Sequence, residues 1–360
     1  MIQENTHVFI MARGQGTRLH PLTDGVCKSS VPFGGRHKII DFILSNLASA
    51  GITNITVLGP SEAPTLSNHL EQYWPDVILD KSTLHEPLMG NAASVRKALE
   101  ANMDKQATHI GIFPSDQILL FDQYSVLLHH IKTKSKASIL TQWRDPSTAS
   151  NFGVLHVEGQ SIVDFLEKPS KLPKKYIKNN RCRINMGIYW FDRDKLYRTL
   201  LKDANNPSSS NDFGHNVLPL LIKEPSTQII DIDPSRPWED VGTIERYWIA
   251  HWKYKGDIHN WNIKATFPLS IVSNGYSTSP IPTSTTIDQC IILDSVIIGE
   301  HCYLKDLIID AGCILDNHLT ISLDTPISGT VYKTPKCIII PKKSLVRYNK
   351  EQQIITVEPL

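Results

Sequence analysis

Directly after an apolar run, His7–Ala12, the chain places Gly14-Gln15-Gly16-Thr17-Arg18-Leu19. Glycines in such a turn let backbone N–H groups approach a phosphate closely. Arg18, with Lys28 ten residues on, adds two fixed cations suited to a reaction in which negative charge builds on phosphoryl oxygens. The third glycine of a dinucleotide fingerprint is replaced by Leu19, and no Gly-Lys-Ser/Thr follows as in a P-loop. Asp116, in Pro114-Ser115-Asp116, and Asp240, in Trp238–Thr243, are carboxylates beside turns. Together they could hold one Mg²⁺, a cation that prefers oxygen ligands and keeps positions for water and substrate phosphates. Lys168, in Glu167-Lys168-Pro169, could meet a phosphate as a compact point charge. Each residue also has an ordinary reading. Arg18 and Lys168 could be solvated, Asp116 a turn residue, and Asp240 the lead-in to a helix capped by Thr243.

The elements that would position these residues alternate. His7–Ala12, Asn54–Leu58, His109–Phe113, Ala137–Trp143 and Asn185–Phe191 read as strands. Ile39–Ala50, Leu66–Tyr73, Ala92–Asn102, Gln123–Thr133, Asp192–Asp203, Phe213–Lys223 and Thr243–Tyr254 read as helices. Phe152–Val157 and Ile162–Glu167 read as a hairpin. This alternation predicts a Rossmann-like α/β domain with a mostly parallel sheet, its ligands at the C-terminal ends of the strands. Beyond about residue 265, Pro268, Pro280 and Pro282 punctuate a Ser/Thr-rich connector. Ile292, Ile298 and Leu304 are then six apart, as are Ile308 and Ile314, with a slip of four between the sets. Turn residues Asp294, Gly299, Asp306, Gly312 and Asp316 interleave them. A six-residue period of inward aliphatic residues predicts a β-helix, against a plain antiparallel β-domain. The expected division is a catalytic domain over 1–256, a linker over 257–280 and a β-helix over 281–360.

A chain of 360 residues is long enough for two domains, and its 41% hydrophobic share can fill their cores. Lys plus Arg number 37 against 36 Asp plus Glu, a net +1, so no charge excess points to nucleic acid or a membrane surface as the main partner. No apolar run approaches a membrane span and the first residues lack a secretory signal, so a cytoplasmic protein is expected. The six cysteines match no common zinc spacing and read as buried, reduced thiols.

Taken together the segments resemble one family, the sugar-1-phosphate nucleotidyltransferases, and within it the ADP-glucose pyrophosphorylase branch. The resemblance rests on Gly14–Leu19, Lys28, Val31-Pro32-Phe33-Gly34-Gly35, Ile39-Ile40-Asp41-Phe42 and Leu44-Ser45-Asn46. It continues through Asn151-Phe152-Gly153-Val154, Glu167-Lys168-Pro169, Met186-Gly187-Ile188-Tyr189, Asp212-Phe213-Gly214 and Trp238–Thr243. The tail resembles that family's left-handed β-helix.

The resemblance implies that ATP and α-glucose 1-phosphate give ADP-glucose and pyrophosphate for glycogen or starch synthesis, with Mg²⁺ as cofactor. It implies that Gly14, Gly16 and Thr17 cradle the triphosphate, with Gly90 in the base-facing loop and Arg18 on the outgoing pyrophosphate. Lys28 would contact phosphate, and Asp116 and Asp240 would hold Mg²⁺. Gly153, Glu167, Lys168 and Asn185 would line the glucose 1-phosphate site, Lys168 gripping the phosphate. It further implies a homotetramer, and near Arg36-His37-Lys38 a region that in the family can lie beside a sugar-phosphate effector. Several positions depart from the family pattern. Arg13 replaces a glycine, Cys27-Lys28-Ser29-Ser30 replaces Ala-Lys-Pro-Ala, and Ser115-Asp116-Gln117 replaces Gly-Asp-His. Pro60 stands for an adenine-side glutamine, Leu88 for a sugar-side tyrosine and Asn185 for a glucose-contacting serine. Two alternatives therefore stay open: a weakly active regulatory homologue, and the same chemistry with another nucleotide or hexose phosphate.

Overall fold

The apolar run that precedes the glycine turn forms strand β1 (Thr6–Met11) at the centre of a ten-stranded sheet. A computed structural model describes the chain except residues 1, 15, 60–63, 81–89, 102–106, 160, 259–260, 262, 264–270 and 273, and the side chain of Ile271. The sheet also contains β2 (Ile55–Leu58), β3 (Ile78–Asp80) and β4 (His109–Pro114). After the short β5 (Gln117–Leu119), it takes in β6 (Ala137–Arg144), β7 (Gly153–Glu158), β8 (Ser161–Glu167), β9 (Ile177–Lys178), β10 (Arg181–Asp192) and β11 (Thr227–Ile232). Its order is β11-β6-β10-β4-β1-β2-β3. The predicted parallel pairing holds for β1 with β2 and β4, and for β6 with β11. β10 runs antiparallel to both β4 and β6, so the sheet is mixed. A register shift between Asn185 and Tyr189 bulges β10, and Gly187 takes the positive φ of 74° there.

The helices are α1 (Ile39–Ser49), α2 (Pro64–Tyr73), α3 (Asn91–Ala101), α4 (Gln123–Lys132), α5 (Arg193–Ala204), α6 (Leu218–Leu221) and α7 (Ile244–Tyr254). Asp192 caps α5 by accepting from Lys195 N, as its position before the helix predicts. The helix predicted over Phe213–Lys223 is instead a π turn, Phe213–Val217, followed by one turn of α-helix. Pro219 has no N–H to donate to the carbonyl four residues back. Val217 N reaches Asp212 O, five residues back, at 3.2 Å.

Two compact units emerge. The first comprises Met1–Gly14, Asn46–Ser115 and Leu119–Trp238; the second comprises Gln15–Ser45, Asp116–Ile118 and Glu239–Leu360. Phe9, Val95, Ile112, Ile139, Phe191, Leu196 and Phe213 belong to the core of the first. The glycine-rich turn and the segment after it thus belong with the tail's unit.

That tail is a β-helix. β12 (Trp238–Asp240) precedes α7, then come β13 (Ile271–Val272) and β14 (Gly275–Ser277). The stacked strands are β15 (Thr286–Ile292), β16 (Ile297–Ile298), β17 (Tyr303–Ile309), β18 (Ile314–Leu315) and β19 (Thr320–Ile321). Each residue lies beside the one 17 positions on: Ile287 beside Leu304, Leu304 beside Ile321. The inward residues are Ile287, Ile292, Ile298, Leu304, Ile309, Leu315 and Ile321. Their steps are therefore five, six and six. The predicted second pair, Ile308 and Ile314, is one residue out of phase: Ile308 is buried outside this apolar core and Ile314 is half-buried. Residues at positive φ mark the corners: Gln289, Ser295, His301, Asp306, Gly312 and His318. The coil ends in β20 (Ile327–Gly329), β21 (Tyr332–Lys333), β22 (Ile338–Ile340), β23 (Ser344–Asn349) and β24 (Ile354–Pro359), the last two an antiparallel pair. None of the six cysteines is in a disulfide; five are buried, and burial pushes Cys313 and Cys337 up to about 11.

Candidate active site

In the second unit, Gly16 sits at φ +66°, the left-handed region glycine enters without strain. A methyl group placed on it would meet Thr23 Cγ2 at 2.9 Å and Lys28 Cβ at 3.2 Å. Leu19 N and Thr23 Oγ1 both donate to Gly16 O, at 2.8 and 3.0 Å, closing the loop that presents Thr17 and the exposed Arg18. Lys28 starts a second tight turn, Lys28–Ser30, and is buried. Its ammonium donates to Asp116 Oδ2.

Asp116 and Asp240 come together through the backbone, because Val241 N donates to Asp116 O at 3.2 Å. Asp240 Oδ1 accepts from Gly242 N at 2.9 Å and Oδ2 from Arg246 Nη1 at 2.8 Å. Thr243 Oγ1 caps α7 by accepting from Arg246 N at 3.3 Å, as predicted. Gly242 sits where these groups crowd together, with no room for a side chain. A methyl group there would lie 2.8 Å from Asp240 Oδ1, 3.0 Å from Lys28 Nζ and 3.7 Å from Arg18 Nη2. Burial, and then the Asp116 charge, raise the Asp240 carboxyl above its ordinary value, against the pull of Lys28, Arg246 and Arg18. Two mutually repelling carboxylates held this near each other fit a small, oxygen-preferring dication. Among the described residues no group of three or more His, Cys, Asp or Glu forms a cation cage, so a Mg²⁺ held here would draw its other ligands from substrate and water.

The first unit holds the other predicted residues. Glu167 ends β8, and Oε2 would lie 2.8 Å from a methyl group on either Gly153 or Gly214. At both positions glycine lets the backbone pass close to this carboxylate, where a side chain would collide with it. Lys168, at φ +43°, reaches Glu167 Oε1 at 3.2 Å and is half exposed. Asn185 Nδ2 donates to Tyr189 Oη at 2.8 Å, and its Oδ1 accepts from Gly187 N at 2.9 Å, so the amide spans the β10 bulge. Burial raises the Tyr189 phenol and the Glu167 and Asp212 carboxylates add to the rise, while Asn185 opposes it. Gly90 packs under Asn211, whose carbonyl accepts from Ala92 N at 2.9 Å; Asn91 Oδ1 accepts from Phe213 N at 2.8 Å. No atom of the described residues lies within 4 Å of a methyl group placed on Gly14, and Arg13 beside it donates to Ser94 Oγ on α3 at 2.9 Å. Pro60 and Leu88 lie outside the described residues.

The predicted residues thus fall into two groups. Gly16, Thr17, Arg18, Lys28, Asp116 and Asp240 lie in one unit; Gly14, Gly90, Gly153, Glu167, Lys168 and Asn185 lie in the other. Sequence reasoning missed Arg246 and Tyr189. The signal for Arg246 was a cation in the first turn of a helix, where it opposes the dipole unless paired. Tyr189 carried no local signal, because its role comes from the bulge.

Residues 7–256 match the nucleotidyl transferase family, and residues 265–339 match the GlmU-like C-terminal hexapeptide family. The chain belongs to the nucleotidyl transferase family, and the enzyme is a nucleotidyltransferase with a C-terminal hexapeptide domain. Among its curated relatives is a glucose-1-phosphate adenylyltransferase of Methylococcus capsulatus, 28% identical across 94% of this chain and 95% of the relative. Relatives of that name from Methylobacillus flagellatus, 27% identical over 90% of both chains, and Francisella tularensis subsp. novicida, 28% over 96% of both, are also similar. A Bacillus anthracis structure assigned as a glucose-1-phosphate thymidylyltransferase has the same fold, with TM-score 0.58 at 19% identity, covering 70% of this chain and 96% of that one. No described helix is long and apolar enough to cross a membrane.

Proposed function

We propose that this nucleotidyltransferase is a glucose-1-phosphate adenylyltransferase, converting ATP and α-glucose 1-phosphate to ADP-glucose and pyrophosphate. The observation that carries this reading is the convergence of Lys28, Asp240 and Arg18 around Gly242, with Asp116 on Lys28. The near full-length likeness to glucose-1-phosphate adenylyltransferases supports it. Both reactants are polyanions, so the barrier is largely mutual repulsion and misalignment. Arg18 and Lys28 offset the negative charge on the phosphates, Arg18 toward the departing pyrophosphate. Asp116 and Asp240 would hold a Mg²⁺, which when bound neutralises phosphoryl charge and polarises the α-phosphorus. Lys28 and Arg246, now on those carboxylates, keep them aimed. Lys168 holds the sugar phosphate, and Glu167, flanked by Gly153 and Gly214, accepts from sugar hydroxyls. No general base is needed, since the attacking phosphate oxygen is already ionised at neutral pH. ADP-glucose for glycogen synthesis in the cytoplasm and a homotetrameric assembly complete the proposal.

The test is pyrophosphate release by the purified chain with a panel of nucleoside triphosphates and hexose 1-phosphates, Mg²⁺ varied. ATP with glucose 1-phosphate should be the best pair. A different best pair would reassign the substrates, and no turnover with any pair would favour the regulatory homologue.

A further inference from the structure

From β15 to β19 successive coils of the β-helix align residues 17 apart, but Ile309 lies beside Ile340, 31 positions on. The additional residues make an excursion that carries β20 and β21, and it reaches the phosphate loop. His20 Nε2 and Tyr332 Oη share a hydrogen bond of 2.8 Å, their rings edge to face with centroids 4.9 Å apart. Just beyond β22, Lys342 Nζ donates to Asp24 O and lies 3.7 Å from Asp24 Oδ2. These two anchors bracket a string of tight turns: Leu22 N to Leu19 O at 3.1 Å, Asp24 N to Pro21 O at 2.9 Å and Val26 N to Thr23 O at 3.2 Å. His20 follows Arg18 by two residues. Chained tight turns with exposed side chains open locally at little cost unless something distant holds them.

We propose that Tyr332 and Lys342 are positioning residues for nucleotidyl transfer, latching residues 20–24 so that Arg18 stays aimed at Lys28 and Asp240. The tail would then be part of the catalytic apparatus and not an appendage to it. The inference rests on the reading of Arg18 as a phosphate-binding cation, so the experiment separates the two.

The full chain is compared with Tyr332→Ala, Lys342→Met, the double variant and Tyr332→Phe. Tyr348→Ala, at an exposed tyrosine elsewhere on the β-helix, is the control. Hydrogen exchange at the amides of Leu19, Leu22 and Asp24 reads the latch without turnover. It should quicken at least ~10-fold in the double variant and stay unchanged in the control. Affinity for inorganic pyrophosphate and kcat should each fall roughly tenfold, with KM for the hexose phosphate within about twofold of the unaltered chain. Tyr332→Phe, which keeps the ring contact, should recover part of the loss. Unchanged exchange in the double variant overturns the latch. Faster exchange with unchanged pyrophosphate affinity leaves only a structural tie and overturns the positioning role. Failure of the unaltered chain to bind pyrophosphate would instead sink the reading of Arg18.

Discussion

Around Gly242 the second unit gathers charges and lets them neutralise one another, whereas around Gly153 and Gly214 the first sets the carboxylates of Glu167 and Asp212 beside uncharged partners and one exposed lysine. Lys28 lies on Asp116 and Arg246 on Asp240, each side chain no more than about one-quarter exposed. In the other group Glu167 pairs with a half-exposed Lys168, and the amide of Asn185 and the phenol of Tyr189 bond to each other. The difference follows the chemistry. A group that meets polyanions must stock cations and prevent them from collapsing onto unpaired carboxylates. A group that meets hydroxyls needs fixed dipoles.

The largest expected effect tests the charged group. Asp116→Asn and Asp240→Asn are isosteric and each removes one anion. kcat should fall at least ~10²-fold, or ~2.7 kcal/mol, with the melting temperature nearly unchanged. Steady-state pyrophosphate release beside melting curves measures both; turnover like that of the unaltered chain in both variants would remove these carboxylates from the mechanism. Next in size is the close backbone approach to Glu167. Gly214→Ala puts a methyl group 2.8 Å from Oε2, so KM for glucose 1-phosphate should rise roughly tenfold while KM for ATP hardly moves, as expected when an interaction common to ground and transition state is lost. An equal rise in both constants would show that the two groups are not functionally distinct. Lys168→Gln should give the same split but smaller, about three- to fivefold, because an exposed ammonium is already well solvated.

The smallest expected effect compares how the units answer acid. His130, in the first unit, is pushed down to about 4 by burial and then by neighbouring His109; burial pushes His251, in the second, down to about 3. In the folded chain His251 accepts from Gly34 N at 3.2 Å through Nε2 and donates from Nδ1 to Tyr247 O at 2.9 Å, so its neighbours fix the neutral tautomer. Both folded values lie below the unfolded value of 6.5. The unfolded chain therefore binds protons first, and stability complete above pH 6.5 is lost as pH falls. At pH 5.5 each histidine should cost about 1 kcal/mol relative to pH 7.5. Urea unfolding at the two pH values reads this, and His130→Gln should flatten the dependence of the first unit alone. Equal midpoints for the unaltered chain at both pH values would contradict the burial argument.

Much of this was legible in the sequence where a local rule dominates. Asp192 and Thr243 announced their helices because a capping oxygen must precede a helix start. The β1 strand, α1 and the turn at Gly16 likewise follow from neighbours in the chain. What escaped depends on partners distant in sequence. The antiparallel direction of β10 is set by which strands it lies between. The β-helix period was visible but drifted by one residue, because one side in three is shortened to five. Of its six corners only Gly312 is a glycine, so the usual signal for a left-handed residue is nearly absent.

The thiols buried in the folded chain supply a built-in chemical clock. Cys182 sits in the first unit, and Cys290, Cys302, Cys313 and Cys337 sit in the tail. A thiol shielded from solvent reacts with an alkylating reagent only when its surroundings open. Mass-resolved labelling of the native enzyme would therefore time the breathing of each unit separately, with no probe introduced, and would reveal whether substrates slow one, the other, or both.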